Sequence, residues 1–550
     1  MIKILTASEM AAADRAMETR LGVPSRVLME SAGREVASFV LKSVDPSCKK
    51  RQAVVLTGGG NNGGDGFVVA RYLKEAAWNV MVLATVSIES LKGDASSNAL
   101  VWKNCGGKVL EVNLDSLNDS EVASLLENSG VIIDAIYGTG FRGSMENWPA
   151  KLVELTNEIS AKNSIQVVSV DIPSGAEAST GRVLGACINA TQTVALQCPK
   201  IGHVLFPASR YCGKEVYIAD IGISNNLSEI ASVRRELVTA SAVSGLLSEA
   251  YRERDEAHKG RRGHVLVMGG SSGHFGAPKM TALAAIACGS GLVTMCLPKS
   301  AAREVQTQLL ELMCLEAAED AYLAFGKPDR GWLKNALEGK NAIAIGPGMG
   351  QGEGAGDLLE MVFEESLRLE MPLVIDADAI NMISLRKGLV EKIPPQSILT
   401  PHPGEMARLC GIETAEVEQD RLGNTGDLAA RLKCWVILKG ARTVVCGPDG
   451  EIFINPAASE ILATAGSGDV LTGVLAAMLG RGMGLKNACL CAVYVHGECV
   501  GELRHKYGGS VGAKAGDIID YSPRVINRLL HLPPTDNKPF PGNAISVFGD

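Results

Sequence analysis

The stretch GGGNNGGDGFVVAR at positions 58–71 decides how the first half of the chain is read. It follows the apolar, β-branched run AVVLT at 53–57 and leads into an amphipathic pattern of Phe67, Val68, Val69, Tyr72 and Leu73. That order reads as strand, loop, helix. Six glycines, two asparagines and an aspartate between positions 58 and 66 let the backbone approach a ligand closely, and they aim loop amides and a helix N-terminus at an anionic group. A second loop of related character, ATAGSGDVLTG at 463–473, lies near the other end of the chain. Two phosphate-type loops in one chain predict two nucleotide-handling sites.

Outward from the first loop, the segment 6–44 reads as helical, with acidic and small residues near its start. Strands are predicted at 53–57, 80–85, 131–134, 166–171 and 191–196, with helical segments between them. Strand and helix alternating at this spacing predict a mostly parallel, doubly wound, Rossmann-like sheet, with functional loops at the carboxyl ends of its strands. Three loops fit: 58–66, YGTGFRGS at 137–144 and DIPSG at 171–175. A polar segment at 223–233 and the charged run YRERDEAHKGRRG at 251–263 place a domain boundary at 225–240. A second α/β pattern follows: strand 264–268, glycine-rich loop 269–276, helix 278–288 and strand 292–297. Further strands are predicted to end at 346–350, 376–381, 399–405, 436–439 and 443–446. The tail 533–550, PPTDNKPFPGNAISVFGD, is rich in Pro, Gly and Asn and is expected to be disordered.

Bulk composition agrees with two domains, because 550 residues exceed the roughly 250–300 at which single cores stop growing. A hydrophobic share of 46% with only 4% aromatics and 61 glycines suits α/β domains rich in βα loops. A net charge of −8 implies no basic face for nucleic acid. The 14 cysteines form no C-x-x-C pair, and reduced thiols in a cytoplasmic protein are expected. The N-terminus shows no signal-peptide pattern. The most apolar stretch, 281–298, is interrupted by Gly289, Ser290 and Gly291, so no membrane association is expected.

Asn62 and Asp65 come from the first loop, Asp134 from a strand end, and Asp171 and Ser174 from the third loop. Carboxylate, amide, hydroxyl and carbonyl oxygens together suit a hard cation, either monovalent or Mg²⁺. A buried strand-end carboxylate is also a candidate proton shuttle. Each aspartate alone is equally a turn residue or helix cap, but three such loops at three strand ends favour a site. Arg142 is a candidate phosphate partner. In the second half, residues 465–468 present amides as an anion hole, and Asp469 stands in the first helical turn. There a carboxylate takes a proton from an attacking hydroxyl while the amides stabilise a transferred phosphoryl group. Lys439 and Gly440 in VILKGART end a predicted strand, and TPHPGE places His402 and Glu405 at another strand end. A lone His is more often structural, but His402 lies between two prolines and is held rigidly.

NNGGDG, DAIYGTGFRGS, VDIPSG and CPKIGHVLFPASRYCGKEVYIADIGI resemble, in this order, the NAD(P)H-hydrate epimerase family across residues 1–225. The resemblance implies interconversion of the C6 epimers of hydrated NADH and NADPH (NADHX and NADPHX). It implies that Asn61, Asn62, Gly63, Gly64 and Asp65, with Gly138, Thr139, Gly140, Phe141, Arg142, Gly143 and Ser144, hold the dinucleotide. It further implies that Asp171 contacts the nicotinamide ring and that Asn62, Asp134 and Ser174 hold K⁺.

The second half resembles the ribokinase-like superfamily through GSGD. It is more closely similar to the ADP- or ATP-dependent NAD(P)H-hydrate dehydratases, through HKGRRGHVLVMGGSSGHFGAP, IGPGMG, VIDADAIN, LTPHPGE, LKGART and AGSGDVLTG. A dehydratase domain over 236–530 is thus expected, with Ala277, Gly350, His402 and Asp469 on the hydrate. Lys439, Gly440, Ala441, Arg442, Thr443 and Gly468 are expected on ADP or ATP, which carries Mg²⁺. The fused form resembles bacterial enzymes, which implies ADP, and a homo-oligomer is implied as well. The pair His274–Phe275 departs from the expected Tyr-Thr, removing a hydroxyl from the hydrate pocket. Two other readings stand beside this one. The second half also fits a ribokinase-like kinase of a vitamin-precursor alcohol, and the first half fits a non-catalytic scaffold, although its intact Asn62, Asp134 and Asp171 speak against that.

Overall fold

The computed structural model describes all residues except 45–50, 114–119, 253–258, 307–309, 387, 533–543 and 546–550. The expected disorder of the tail therefore lies outside the described residues, apart from Ala544–Ile545, which pair antiparallel with Val216–Tyr217. Part of the charged run at 251–263 lies outside them too. Ile2–Val233 and Arg234–Thr535 form two compact units.

The first unit begins with two helices, Ala7–Leu21 and Ser25–Ser43, where the pattern predicted one. Gly22 ends the first in the left-handed conformation (φ 71°), and Pro24, which cannot donate to a helical ladder, caps the second. Thr6 and Glu9 close a capping box at the start. The sheet runs Val216–Ala219, Gln192–Leu196, Gln166–Val170, Val131–Ala135, Gln52–Thr57, Asn79–Ala84, Lys108–Glu111, all parallel. Strand order therefore reverses between Gln52–Thr57 and Val131–Ala135, which opens a crevice at their carboxyl ends. Apolar side chains cover both faces, with Val55, Phe67 and Ile133 in one layer and Leu56, Ile132 and Val167 in the other. Residues this apolar on both faces are what a parallel sheet between helices requires.

The second unit has the sheet order Arg235–Leu237, Ile452–Ile454, Val444–Cys446, Trp435–Leu438, Ser397–Leu399, Leu373–Ile375, Ala342–Ile345, His264–Met268, Leu292–Pro298, Met313–Ala317. Pairing is parallel except on both sides of Val444–Cys446. Order reverses around His264–Met268, so the loops after it and after Ala342–Ile345 face a second crevice. The apolar helix Ser467–Gly480 is buried along most of its length and packs on Gly276–Ala287. Among the described residues, no helix is long and apolar enough to cross a membrane.

Candidate active sites

In the first unit the helix Asn61–Glu75 starts at NNGGDG, so the predicted loop shrinks to residues 58–60 and the motif forms the first helical turns. The glycines explain the difference. A Cβ on Gly63 would lie 2.1 Å from the Gly58 carbonyl oxygen, and one on Gly66 2.8 Å from Ala135 Cβ. They press the helix onto the strand ends rather than clearing room for a ligand alone. Gly60 makes no side-chain cap, so no capping side chain takes up the amides of the first turn.

Asp134 ends its strand fully buried and accepts from Ser169 Oγ at 2.8 Å, from Ser174 N at 2.9 Å and from Ser174 Oγ. Burial pushes its carboxyl up, against the hydrogen bonds from Ser174. Ser174 Oγ also accepts from Tyr137 N at 2.9 Å. A Cβ on Gly138 would come 3.0 Å from Asn62 Oδ1, so the Tyr137–Gly138 backbone brings Asn62 close to the buried Asp134–Ser174 pair. Asn62 Nδ2 is buried without a hydrogen-bond partner. Exchanging the amide N and O, which heavy-atom geometry rarely distinguishes, turns an oxygen into that position and makes the donor set one of oxygens. Such a set fits a hard cation.

Asp171 lies beyond the next strand with φ 62°, a left-handed backbone that a branched or bulky residue would resist. Its Oδ1 accepts from Lys200 Nζ at 2.6 Å and from Leu196 N at 3.1 Å, and its carbonyl oxygen meets His203 Nε2. Lys200 is fully buried and also donates to Leu196 O at 2.8 Å. Burial and the neighbouring Asp171 and Asp14 hold Asp65 well above the usual carboxylate range. Burial raises Asp14 to about 6, against the pull of Lys200. Burial and Lys200 lower His203 to about 4, so its ring is neutral. Lys200, His203 and Asp14 are missing from the sequence-based site. Lys200 and His203 stand in plain view within CPKIGHV, whereas nothing marks Asp14 in its helix.

The segment 138–144 forms the rim. Phe141 stacks on Tyr137 with ring centroids 5.2 Å apart. Arg142, expected to meet a phosphate, donates through Nη1 to the carbonyls of Thr139 and Phe141 at 2.9 and 2.6 Å, and so shapes its own loop. Gly143 N donates to Glu177 Oε1 at 2.8 Å, and Ser144 pairs with Leu184 in a short strand. Gly140 is exposed at the tip.

In the second unit Gly466, at φ 88°, turns the chain into the helix Ser467–Gly480 and places Asp469 in its first turn. Burial and the nearby Asp376 push the Asp469 carboxyl up to about 7, while Lys439 opposes them. Lys439 Nζ donates to Asp376 Oδ1 at 2.7 Å and lies 3.8 Å from Glu405 Oε2. A Cβ on Gly468 would sit 3.3 Å from Lys439 Nζ, so the ammonium stands at the mouth of the glycine turn. Burial alone would lower Lys439, but Asp376 and Glu405 outweigh it and hold it above its ordinary value. Thr472 Oγ1 donates to the other Asp376 oxygen at 2.7 Å.

His402 is the N-cap of the helix Pro403–Cys410, not merely a loop residue. Its Nδ1 accepts from Gly404 N at 3.0 Å while Glu405 Oε2 accepts from His402 N at 2.8 Å. Burial, Lys439 and Arg408 lower its pKa, so the neutral ring carries its proton on Nε2. Ala277 opens the helix Gly276–Ala287, and a Cβ on Gly348 would come 3.3 Å from Ala277 Cβ. Gly350 N donates to Asp378 Oδ2 at 2.9 Å. In the segment 440–443, Ala441 is exposed and Thr443 Oγ1 donates to Gly440 O at 3.0 Å. Arg442, expected on the nucleotide, is only 1% exposed, so its guanidinium is turned into the protein. Asp376 lies within VIDADAIN but carries no role in the sequence reading, although Lys439 depends on it.

Two α/β units, each with polar residues gathered at a strand-order reversal, define a two-site enzyme of the nucleotide-handling class. Residues 25–202 match the family described as YjeF-related protein N-terminus, and residues 265–524 match the NAD(P)H-hydrate dehydratase family. The bifunctional NAD(P)H-hydrate repair enzyme Nnr of Moorella thermoacetica is 36% identical, over 96% of this chain and 97% of that protein. Its Escherichia coli namesake is 32% identical, over 92% and 90%. The crystal structure of an ADP/ATP-dependent NAD(P)H-hydrate dehydratase from Bacillus subtilis is 30% identical over 53% of this chain and 97% of its own, with a TM-score of 0.44. The chain belongs to the family of bifunctional NAD(P)H-hydrate repair enzymes. That membership, spanning both units, favours an epimerase fused to a dehydratase over the vitamin-precursor kinase.

Proposed function

We propose that the first unit interconverts the R and S epimers of hydrated NADH and NADPH at C6, and that the second dehydrates the S epimer at the expense of ADP or ATP. The observation that carries the reading is the carboxyl of Asp469, poised near neutrality in the first turn of a helix beside Lys439. Asp469 takes the proton of the C6 hydroxyl as its oxygen attacks the terminal phosphoryl group of the nucleotide. Lys439 and the amides of 466–468 hold the developing charge. The phosphorylated oxygen then leaves with the C6–O bonding pair as phosphate, a proton leaves C5, and the ring double bond returns. Mg²⁺, borne on the nucleotide phosphates, neutralises part of their charge. The neutral His402 orients the hydrate through Nε2–H.

In the first unit, Asp171 has Oδ1 committed to Lys200 and Leu196 N, which leaves Oδ2 for the nicotinamide ring. Asn62, Asp134 and Ser174 hold K⁺, which supplies a fixed positive charge near the dinucleotide.

The test uses an epimer mixture of hydrated NADH with Mg²⁺, K⁺ and either ADP or ATP, following return of the reduced-nicotinamide absorbance. Complete recovery faster than spontaneous epimerisation supports both activities, and the faster nucleotide is the donor. Recovery limited to one epimer's share would reduce the first unit to a scaffold.

A further inference from the structure

A cleft of about 560 Å³ lined by Gln351, Asn381, Ser384, Leu385 and Arg408 opens beside the dehydratase residues. That volume lies within the range of roughly 300–1,000 Å³ typical of small-ligand sites. Its walls are two helices. Asp378–Leu385 carries Asn381, Ser384 and Leu385, and Pro403–Cys410 carries Arg408. Both helices start at the reaction centre. Asp378 accepts from Gly350 N at 2.9 Å and from Gln351 Nε2 at 3.4 Å, which ties the inner end of the cleft to the Gly350 loop. At the other helix, a Cβ on Gly404 would lie 2.9 Å from His402 Cε1 and 3.8 Å from Arg408 Nη1, so the imidazole and the guanidinium flank one residue.

Arg408 is exposed, yet its Nε donates to Asn381 Oδ1 at 3.0 Å. This bond fixes the plane of the guanidinium and leaves Nη1 and Nη2 for a ligand. Among the described residues, no carboxylate lies within ion-pair distance of it. Arg408 is also the one cation among the residues that line the cleft. A hydrated dinucleotide whose ring sits between His402 and Asp469 must send its pyrophosphate and adenosine somewhere. The cleft adjoins Gly350 through its neighbour Gln351 and His402 through the helix that carries Arg408, and it pairs an arginine fork with amide and hydroxyl groups. Resting on the dehydratase reading above, we propose that this cleft is the subsite for the phosphate-bearing half of the hydrate, with Arg408 holding one of its phosphates.

The test is steady-state dehydration by the full chain and its Arg408→Ala and Arg408→Lys variants, with purified S-hydrates of NADH and NADPH. Arg408→Ala should raise the hydrate KM about tenfold or more, with kcat and the KM for ADP within about twofold. Arg408→Lys should recover part of the loss, because a lysine supplies the charge without the fork. A rise confined to the NADPH hydrate assigns the 2′-phosphate, and a rise for both hydrates assigns the pyrophosphate. Unchanged KM for both hydrates, or a rise for ADP instead, overturns the subsite. A wild-type chain that converts neither hydrate overturns the dehydratase reading itself. An unchanged melting temperature of Arg408→Ala separates lost binding from lost folding.

Discussion

Asp171 and Asp469 are buried to different ends. Asp171 is paired with a lysine that has no exposed surface, and the pair holds one carboxylate oxygen in place. Asp171→Asn should abolish epimerisation and leave dehydration of purified S-hydrate intact, and loss of both together would refute this division of labour. Lys200→Met leaves a buried carboxylate uncompensated, which costs about 3–5 kcal/mol. Hydrogen exchange should show that loss in the strand Gln166–Val170 and none in Trp435–Leu438. Among the described residues Asp469 has no direct partner of this kind, and it is pushed up to about 7, so it serves as a base only once ionised. Dehydratase kcat/KM should therefore fall about tenfold per pH unit below about 7. For stability the sign is reversed. The folded state holds the proton more tightly than the unfolded chain, whose carboxyl titrates near 3.8, so this stabilisation is present in acid and is lost as pH rises from about 4 through about 7. Asp469→Asn should accordingly stabilise the second unit at pH 8 by on the order of 1–3 kcal/mol, a range reduced for partial exposure, and the gain should vanish near pH 4.

Elements show where local sequence is enough and where it is not. The helix Asn61–Glu75 is legible from Phe67 onward because its apolar spacing is helical, but its first turns look like a loop. Glycine, asparagine and aspartate have low helix propensity, and only contacts with Gly58 and Ala135 explain their place in a helix. Gly63→Ala should therefore disrupt the first unit, while Gly60→Ala, with nothing within 4 Å of the added carbon, should melt with the wild type. Thermal melting of the two variants checks the contrast. The strand Lys108–Glu111 escapes notice because its half-exposed edge lacks the apolar run of a central strand. Asp134 at its strand end, Ser174 in the turn after the strand Gln166–Val170 and Asp469 in the first helical turn lie where their motifs put them, since turn chemistry is local. Lys200 and Asp376 lie within quoted motifs, but their pairings with Asp171 and Lys439 are hidden because an ion pair between distant loops leaves no periodicity to read. Arg142 and Arg442 take positions the sequence does not give: one binds its own loop carbonyls and the other is buried.

For the whole molecule, the chemistry requires only that one unit's product be the other's substrate. Each crevice is built from its own sheet, and every described partner of Asp171 and of Asp469 lies within the same unit. The S-hydrate is a charged, water-soluble dinucleotide, so free diffusion suffices to carry it between sites. An equimolar mixture of Asp171→Asn and Asp469→Asn chains, each dead at one site, should therefore convert an R,S mixture completely. At low enzyme concentration the rate should be about half that of the same total of wild-type chain, because half of each kind of site is active. Either variant alone should stop short: Asp171→Asn slows to spontaneous epimerisation after consuming the S epimer, and Asp469→Asn yields no reduced nicotinamide. If the mixture is much slower than half the wild-type rate while each purified variant keeps its remaining activity, the intermediate passes between sites of one chain without release. The fusion would then have a kinetic function beyond keeping two activities at equal dose.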